Sequence, residues 1–310
     1  MTHAAPLSGV IPPVCTPLTP DREVDTASLT RLVDHLLEGG VNGLFVLGST
    51  SEVAFLPDEH RRIVLETVLG HVAGRVPVLA GSIDMTAPRV VDHVRVAVKA
   101  GVDGIVATAP FYARTHPAEI AIHFRTIAAQ AGGVPVYAYD LPISVHSKLT
   151  ADLLLELAAE GVLAGLKDSS GDEAGLREVI LRRRDRDLPS FAVMTGSELT
   201  VDSALWMGAD GVVPGLGNVD PHGYVRLYQA ASRGDWEAAR TEQERLFRLF
   251  HLVNVGGPHM GRSSSALGAF KAALFLRGVI EHPTTALPQI PLDADDIARV
   301  KEFLSEAALI

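Results

Sequence analysis

Lys167 lies in the segment Gly161-Val-Leu-Ala-Gly-Leu-Lys-Asp-Ser-Ser-Gly171, where the apolar run Val162–Leu166 leads into serine and glycine turn chemistry. That pattern reads as a buried parallel strand with a lysine at its C-terminal end. Burial disfavours an ammonium and leaves more of the neutral amine, the form that adds to a carbonyl carbon. One strand earlier, Val134-Pro-Val-Tyr-Ala-Tyr139 ends in a tyrosine. An amine beside a phenol is suited to Schiff-base chemistry on a carbonyl compound, the phenol moving the proton. A lysine at a strand end also has a purely structural use, its stem lying on apolar surface and its charge in water.

Other strand ends carry further candidates. Leu47-Gly-Ser49-Thr50-Ser51-Glu52 offers three successive hydroxyls after a glycine, a turn suited to a small carboxylate and equally to an ordinary capped loop. Tyr112 follows Ala109-Pro-Phe and is placed either at the mouth of the site or as half-buried packing. Asp168 points away from the face that Lys167 uses, because side chains alternate along a strand. It is therefore expected to cap the helix starting near Asp172 rather than to pair with Lys167. The histidines are scattered, with no metal-binding spacing, and no Ser-His-Asp set stands out. No metal site is expected. Gly215-Leu-Gly217 has only a faint likeness to a phosphate turn. Cys15, the one cysteine, lies in an apolar run and reads as a small core residue.

The elements that must position these residues alternate along the chain. Strands are expected at 9–14, 43–47, 76–80, 104–108, 134–139, 162–167, 191–195 and 211–213. Helices are expected at 26–38, 57–73, 87–100, 117–131, 150–159, 172–183 and 198–207. Asp25, Thr86 and Thr150 serve as caps, and Pro57, Pro88 and Pro117 lie in first turns. Eight strands alternating with helices give a (β/α)8 TIM barrel, whose active face lies at the strand C-termini. A doubly wound sheet fits less well. Its first turn needs glycines, and here the first strand meets Pro12-Pro13 and then Thr16-Pro17. Past about residue 231 only helical patterns remain, at 235–253, 263–277 and 294–308. The expected division is a catalytic barrel over residues 1–231 and a C-terminal helical extension over 232–310.

At 310 residues and 47% hydrophobic, the chain can bury a large core. Its net charge of −10 and the confinement of clustered cations to Arg182-Arg183-Arg184-Asp-Arg186 argue against nucleic acid. That cluster is expected to be a solvated helix end. There is no signal-peptide pattern and no long apolar span, so a cytoplasmic location and no membrane contact are expected.

In combination the motifs resemble the dihydrodipicolinate synthase / N-acetylneuraminate lyase family across nearly the whole chain. Gly48-Ser-Thr-Ser-Glu52 resembles the family's Gly-[Ser/Thr]-Thr-Gly-Glu loop, Tyr139-Asp-Leu-Pro142 its Tyr-Asn-x-Pro, and Gly165-Leu-Lys-Asp-Ser-Ser-Gly171 its Gly-x-Lys-[Asp/Glu]-x-[Ser/Thr]-Gly. The resemblance implies a barrel with C-terminal helices assembled as a homo-oligomer, a dimer or a tetramer of tight dimers. It implies that Lys167 forms a Schiff base with pyruvate or another 2-keto acid and that Tyr139 shuttles the proton. Thr50 would relay to Tyr139, Ser49 and Thr50 would hold the carboxylate, and Tyr112 from a neighbouring copy would complete the relay. Val213 would lie against the bound pyruvate. No cofactor is implied.

The chain departs from the family pattern at Ser51, where glycine is usual, and at Asp140, where asparagine is usual. The arginine with which dihydrodipicolinate synthases grip their second substrate is replaced by Ser144, followed by Val145 and His146. Ser144 and His146 thus become the candidates for binding the distal part of a substrate. The expected function is a metal-independent carbon–carbon lyase of class I aldolase type. It would act on a keto-deoxy sugar acid or hydroxy-keto acid with pyruvate as one half. The alternatives are condensation of pyruvate with aspartate semialdehyde, dehydration of a 2-keto-3-deoxy acid, and a non-catalytic barrel that binds keto acids.

Overall fold

The computed structural model describes residues 7–310. Eight parallel strands follow one another around a barrel: β1 (Gly9–Val10), β2 (Leu44–Val46), β3 (Val78–Gly81), β4 (Gly104–Thr108), β5 (Val136–Asp140), β6 (Gly165–Asp168), β7 (Ala192–Thr195) and β8 (Gly211–Val212). β1 pairs with β8, and a parallel bridge between Pro13 and Phe45 joins the chain after β1 to β2. On the outside lie α1 (Thr26–Glu38), α2 (Asp58–Val72), α3 (Ala87–Ala100), α4 (Pro117–Gln130), the short α5 (Pro142–Val145), α6 (Ala151–Ala159), α7 (Glu173–Asp185), α8 (Val201–Met207) and α9 (Pro221–Ser232). Three more helices complete the chain: α10 (Trp236–Phe250), α11 (Arg262–Leu276) and α12 (Ala294–Glu306). This is a (β/α)8 barrel with C-terminal helices. No helix among the described residues is long and apolar enough to cross a membrane.

Two-residue alternation sorts the strands into two cores. Ile11, Phe45, Leu79, Val106, Tyr139, Met194 and Val213 point inward and form the barrel filling. Their neighbours Val10, Val46, Ala80, Ile105, Ala138, Leu166, Val193 and Val212 point outward into the larger core under the helices. Lys167 therefore shares the inner parity and Asp168 the outer one.

The expected elements are found, with bounds that shift for identifiable reasons. β1 is two residues long rather than six, because Pro12 and Pro13 have no N–H to give to a ladder. Val162 and Leu163 are not in β6: both donate to Leu157 carbonyl as the chain leaves α6. Asp25 and Thr150 cap their helices through Ser28 N–H and Leu153 N–H, whereas Thr86 occupies a cap position without a side-chain bond. α9 and α5 were not expected. The start signal of α9 is present in the sequence, since Asp220 accepts from Gly223 N–H at 2.9 Å and Pro221 opens the first turn. The arginine cluster at the end of α7 is less solvated than expected, for Arg183 pairs with Asp210 and donates to Phe191 carbonyl at 2.9 Å.

Candidate active site

β5 and β6 are in register so that Tyr139 lies beside Lys167 and Asp140 beside Asp168. The first pair enters the barrel. Lys167 is only 7% exposed, and its Nζ stands 4.1 Å from the centroid of the Tyr139 ring and 5.0 Å from that of Phe45. The two rings meet edge to face, 6.4 Å apart and at 86°. Ring faces attract an ammonium and give an apolar seat to a neutral amine, so they fix the lysine in either charge state. Val213 belongs to the same inner cluster as Tyr139.

The second pair faces the helices and is served by Lys148. Asp140 is fully buried, pairs with the Lys148 ammonium and accepts Leu149 N–H at 3.1 Å. Burial pushes its carboxyl above the ordinary range, and Lys148 opposes that shift. The same ammonium lies 3.8 Å from Asp168, which also accepts Ser170 N–H at 2.8 Å. The expected capping role of Asp168 is thus corrected. It holds the turn after β6, and Asp172 caps α7 through Gly175 N–H at 2.9 Å because it occupies the position just before the helix.

The loop after β2 starts and ends on left-handed residues, Leu47 at φ 58° and Glu52 at φ 61°. It approaches β3 so closely that a Cβ on Gly81 would lie 1.9 Å from Leu47 carbonyl, which requires glycine there. Ser49 Oγ stands 3.5 Å from the Tyr139 hydroxyl, at the long limit of hydrogen bonding. The hydroxyl within reach of the phenol is therefore that of Ser49, not of Thr50 as expected. The turn at Leu47 brings the first hydroxyl of the three over the tyrosine. Among the described residues, the backbone N–H groups of Ser49 and Thr50 have no acceptor, which makes them a ready pair of donors for an anionic group. Ser51 turns inward instead, donating to Val14 carbonyl at 2.5 Å and accepting Gly48 N–H at 3.1 Å.

Other expected site residues lie at the rim. Ser144 on α5 and His146 at its end are exposed, His146 with φ 59°. Arg114, not among the expected site residues, is exposed on the loop after β4. Tyr112, on the same loop, is 93% exposed with φ 75° and takes no part in the inner cluster of its own chain.

Glu198, between β7 and α8, was not singled out from the sequence. Its carboxylate accepts Leu216 N–H at 3.2 Å, and it is near enough to Lys167 to feel that charge. Burial pushes the carboxyl up to about 7, with Lys167 and the backbone donors acting in the opposite sense. The signal was available, because Glu198 follows a strand C-terminus as the other candidates do. The assembled groups can add an amine to a carbonyl, move a proton on a phenol and hold a carboxylate by hydroxyl and amides.

The chain is similar to known proteins over nearly its whole length. The profile described as the dihydrodipicolinate synthetase family matches residues 6–307. An uncharacterised DapA-like lyase of Halobacterium salinarum is 33% identical over 304 residues, covering 98% of this chain and 95% of the relative. A 4-hydroxy-tetrahydrodipicolinate synthase of Methanosphaerula palustris is 31% identical over 96% of this chain and 98% of its own. YagE of Escherichia coli, provisionally assigned as a 2-dehydro-3-deoxy-D-gluconate aldolase, is 30% identical over the full length of both chains. Its crystal structure in complex with pyruvate superimposes with a TM-score of 0.91, covering 98% of this chain and 99% of YagE.

Proposed function

This chain belongs to the dihydrodipicolinate synthetase family of carbon–carbon lyases and synthases, and within it we propose a metal-independent aldolase that cleaves a 2-keto-3-deoxy or 4-hydroxy-2-keto acid to pyruvate and an aldehyde. The observation that carries the reading is the Lys167 amine held 4.1 Å from the Tyr139 ring inside the barrel.

In this reaction Lys167 adds to the C2 carbonyl of the keto acid, and water leaves to give an iminium. The iminium draws the electrons of the C3–C4 bond as the C4 hydroxyl gives up its proton and becomes the aldehyde. Tyr139 takes that proton and returns one to C3 of the enamine, and hydrolysis then frees pyruvate and the amine. Ser49 orients the phenol. The free amides of Ser49 and Thr50 hold the substrate carboxylate, and Val213 lies against its methyl end. Tyr112 completes the relay of a neighbouring copy, so that the working unit is at least a dimer.

Ser144 and His146 decide the second half. A guanidinium grips a carboxylate in two-point geometry that serine and histidine do not reproduce. The rim of this chain therefore suits the hydroxyls of a polyhydroxy aldehyde or an uncharged aldehyde better than aspartate semialdehyde. The competing synthase reading draws support from the relative of that name.

One comparison tests the proposal. Pyruvate release is measured across 2-keto-3-deoxy acids, sialic acid and 4-hydroxy-2-oxoglutarate, with condensation of pyruvate and aspartate semialdehyde run beside it. Cleavage of a keto-deoxy or hydroxy-keto acid with slow condensation is expected. A kcat/KM for aspartate semialdehyde of about 10⁴ M⁻¹s⁻¹ or more would make the chain a synthase instead.

A further inference from the structure

The loop that offers Ser49 and Thr50 to the barrel mouth is held from behind by the far end of the chain. Its last residue, Glu52, has φ 61° and a side chain with no exposed surface. That carboxylate forms an ion pair with Lys271 of α11, which is only 1% exposed, and its other oxygen accepts Ala286 N–H at 2.7 Å. Lys271 also donates to Thr284 carbonyl at 2.7 Å. Both partners of the ion pair are thus tied directly to each other and to the backbone of residues 284–286.

Such a pair is costly to build. Taking two charges out of water is repaid only by close contact and further hydrogen bonds, and an apolar pair of the same size often serves stability as well. A buried pair is better suited to fixing one geometry. Here the geometry is that of a five-residue loop whose two ends point in different directions. Ser49 is exposed and lies 3.5 Å from the Tyr139 hydroxyl, while Ser51 and Glu52 are buried in the interior. A left-handed residue at Glu52 is unfavourable without support, and the ion pair supplies it.

Resting on the functional reading above, we propose that Lys271 is a positioning residue for the keto acid. By neutralising Glu52 it sets the turn of residues 48–52, and with it the place of the Ser49 hydroxyl and of the two free amides that receive the substrate carboxylate. The C-terminal helices are on this account part of the binding apparatus for pyruvate, acting through the loop without touching the substrate.

The test compares the unmodified chain with Lys271→Met, Lys271→Arg and the double variant Glu52→Gln/Lys271→Met. The pyruvate concentration giving half-maximal borohydride trapping at Lys167 is measured for each, below its own thermal midpoint. For Lys271→Met this concentration is expected to rise by roughly tenfold or more, as a small misplacement of a binding group would cause. The trapping rate at saturating pyruvate should change far less. Lys271→Arg should recover part of the affinity. The double variant should regain thermal stability, since no carboxylate is left buried and unpaired, yet keep the raised half-saturation. Should Lys271→Met fail to fold, the double variant decides alone. Folded variants that trap pyruvate with the unmodified half-saturation would overturn the proposal and leave the pair a matter of stability. Absence of any adduct on the unmodified chain is a different result, one that removes the functional reading itself.

Discussion

Asp140 lies directly beside Asp168 on neighbouring parallel strands, one residue beyond the Tyr139–Lys167 pair and on the opposite face of the sheet. Two buried carboxylates at this distance repel, and Lys148 stands between them. Lys148→Met should therefore destabilise the chain by on the order of 2 kcal/mol, a value reduced from that of a fully buried pair because the lysine is partly exposed. Asp140→Asn in the same background should restore much of the loss. Denaturant midpoints of the two variants check this, and equal losses in both would show that charge is not the issue.

The amine that traps pyruvate should be Lys167 and no other. Borohydride reduction in the presence of pyruvate is expected to place a reduced adduct on the peptide containing it, and Lys167→Ala should abolish the adduct. Peptide mapping that finds the adduct at Lys99, Lys148 or Lys271 would sink the assignment.

Tyr139→Phe keeps the ring beside the amine and removes only the proton carrier. Trapping should persist while turnover falls by roughly 10²–10⁴-fold. Because Ser49 is the hydroxyl within reach of the phenol, Ser49→Ala should slow turnover more than Thr50→Ala. The reverse order would return the relay to Thr50.

The fold and the inner half of the site were legible because both rest on local rules. Short apolar runs ending in turn residues marked the strands, and two-residue alternation separated Lys167 from Asp168. Residues whose roles depend on distant partners were not legible. Glu52 reads as the end of a loop until α11 places Lys271 against it. Lys148 reads as a surface lysine until β5 and β6 bring Asp140 and Asp168 together. The choice of Ser49 over Thr50 depends on a backbone turn at Leu47 that a leucine does not announce.

Stability should depend on pH through His123. Its ring donates to Thr108 carbonyl at 3.1 Å while Nδ1 is buried without a partner, and burial pushes its pKa down to about 4. The unfolded chain takes up a proton near pH 6.5 that the folded chain refuses, so stability should fall as pH drops from about 6.5 to about 4 and level off below. The loss attributable to this residue is on the order of 2–3 kcal/mol. His35, also pushed down to about 4, acts in the same window. Urea midpoints at several pH values should decline less steeply for His123→Gln, and identical slopes would remove His123 from the account.

Activity should survive exhaustive chelation. Among the described residues no group of three or more His, Cys, Asp or Glu side chains is arranged to hold a metal ion. A loss of turnover restored by zinc or manganese would move the enzyme to the metal-dependent class.

The residues that would make the electrophile sit on β5, β6 and the β2 loop, and those that would meet the aldehyde sit on the short, exposed α5. Ile143, Ser144 and His146 are exposed, so substitutions there disturb neither the core nor the strand register and most should be neutral for folding and for adduct formation, whereas Val145 is buried in the main core. Such a layout lets a lineage drift from one aldehyde to another through intermediates that never lose the covalent step. It also marks Ile143, Ser144 and His146 as the positions to randomise when a new aldehyde partner is sought, with retained pyruvate trapping as the filter for intact catalysts.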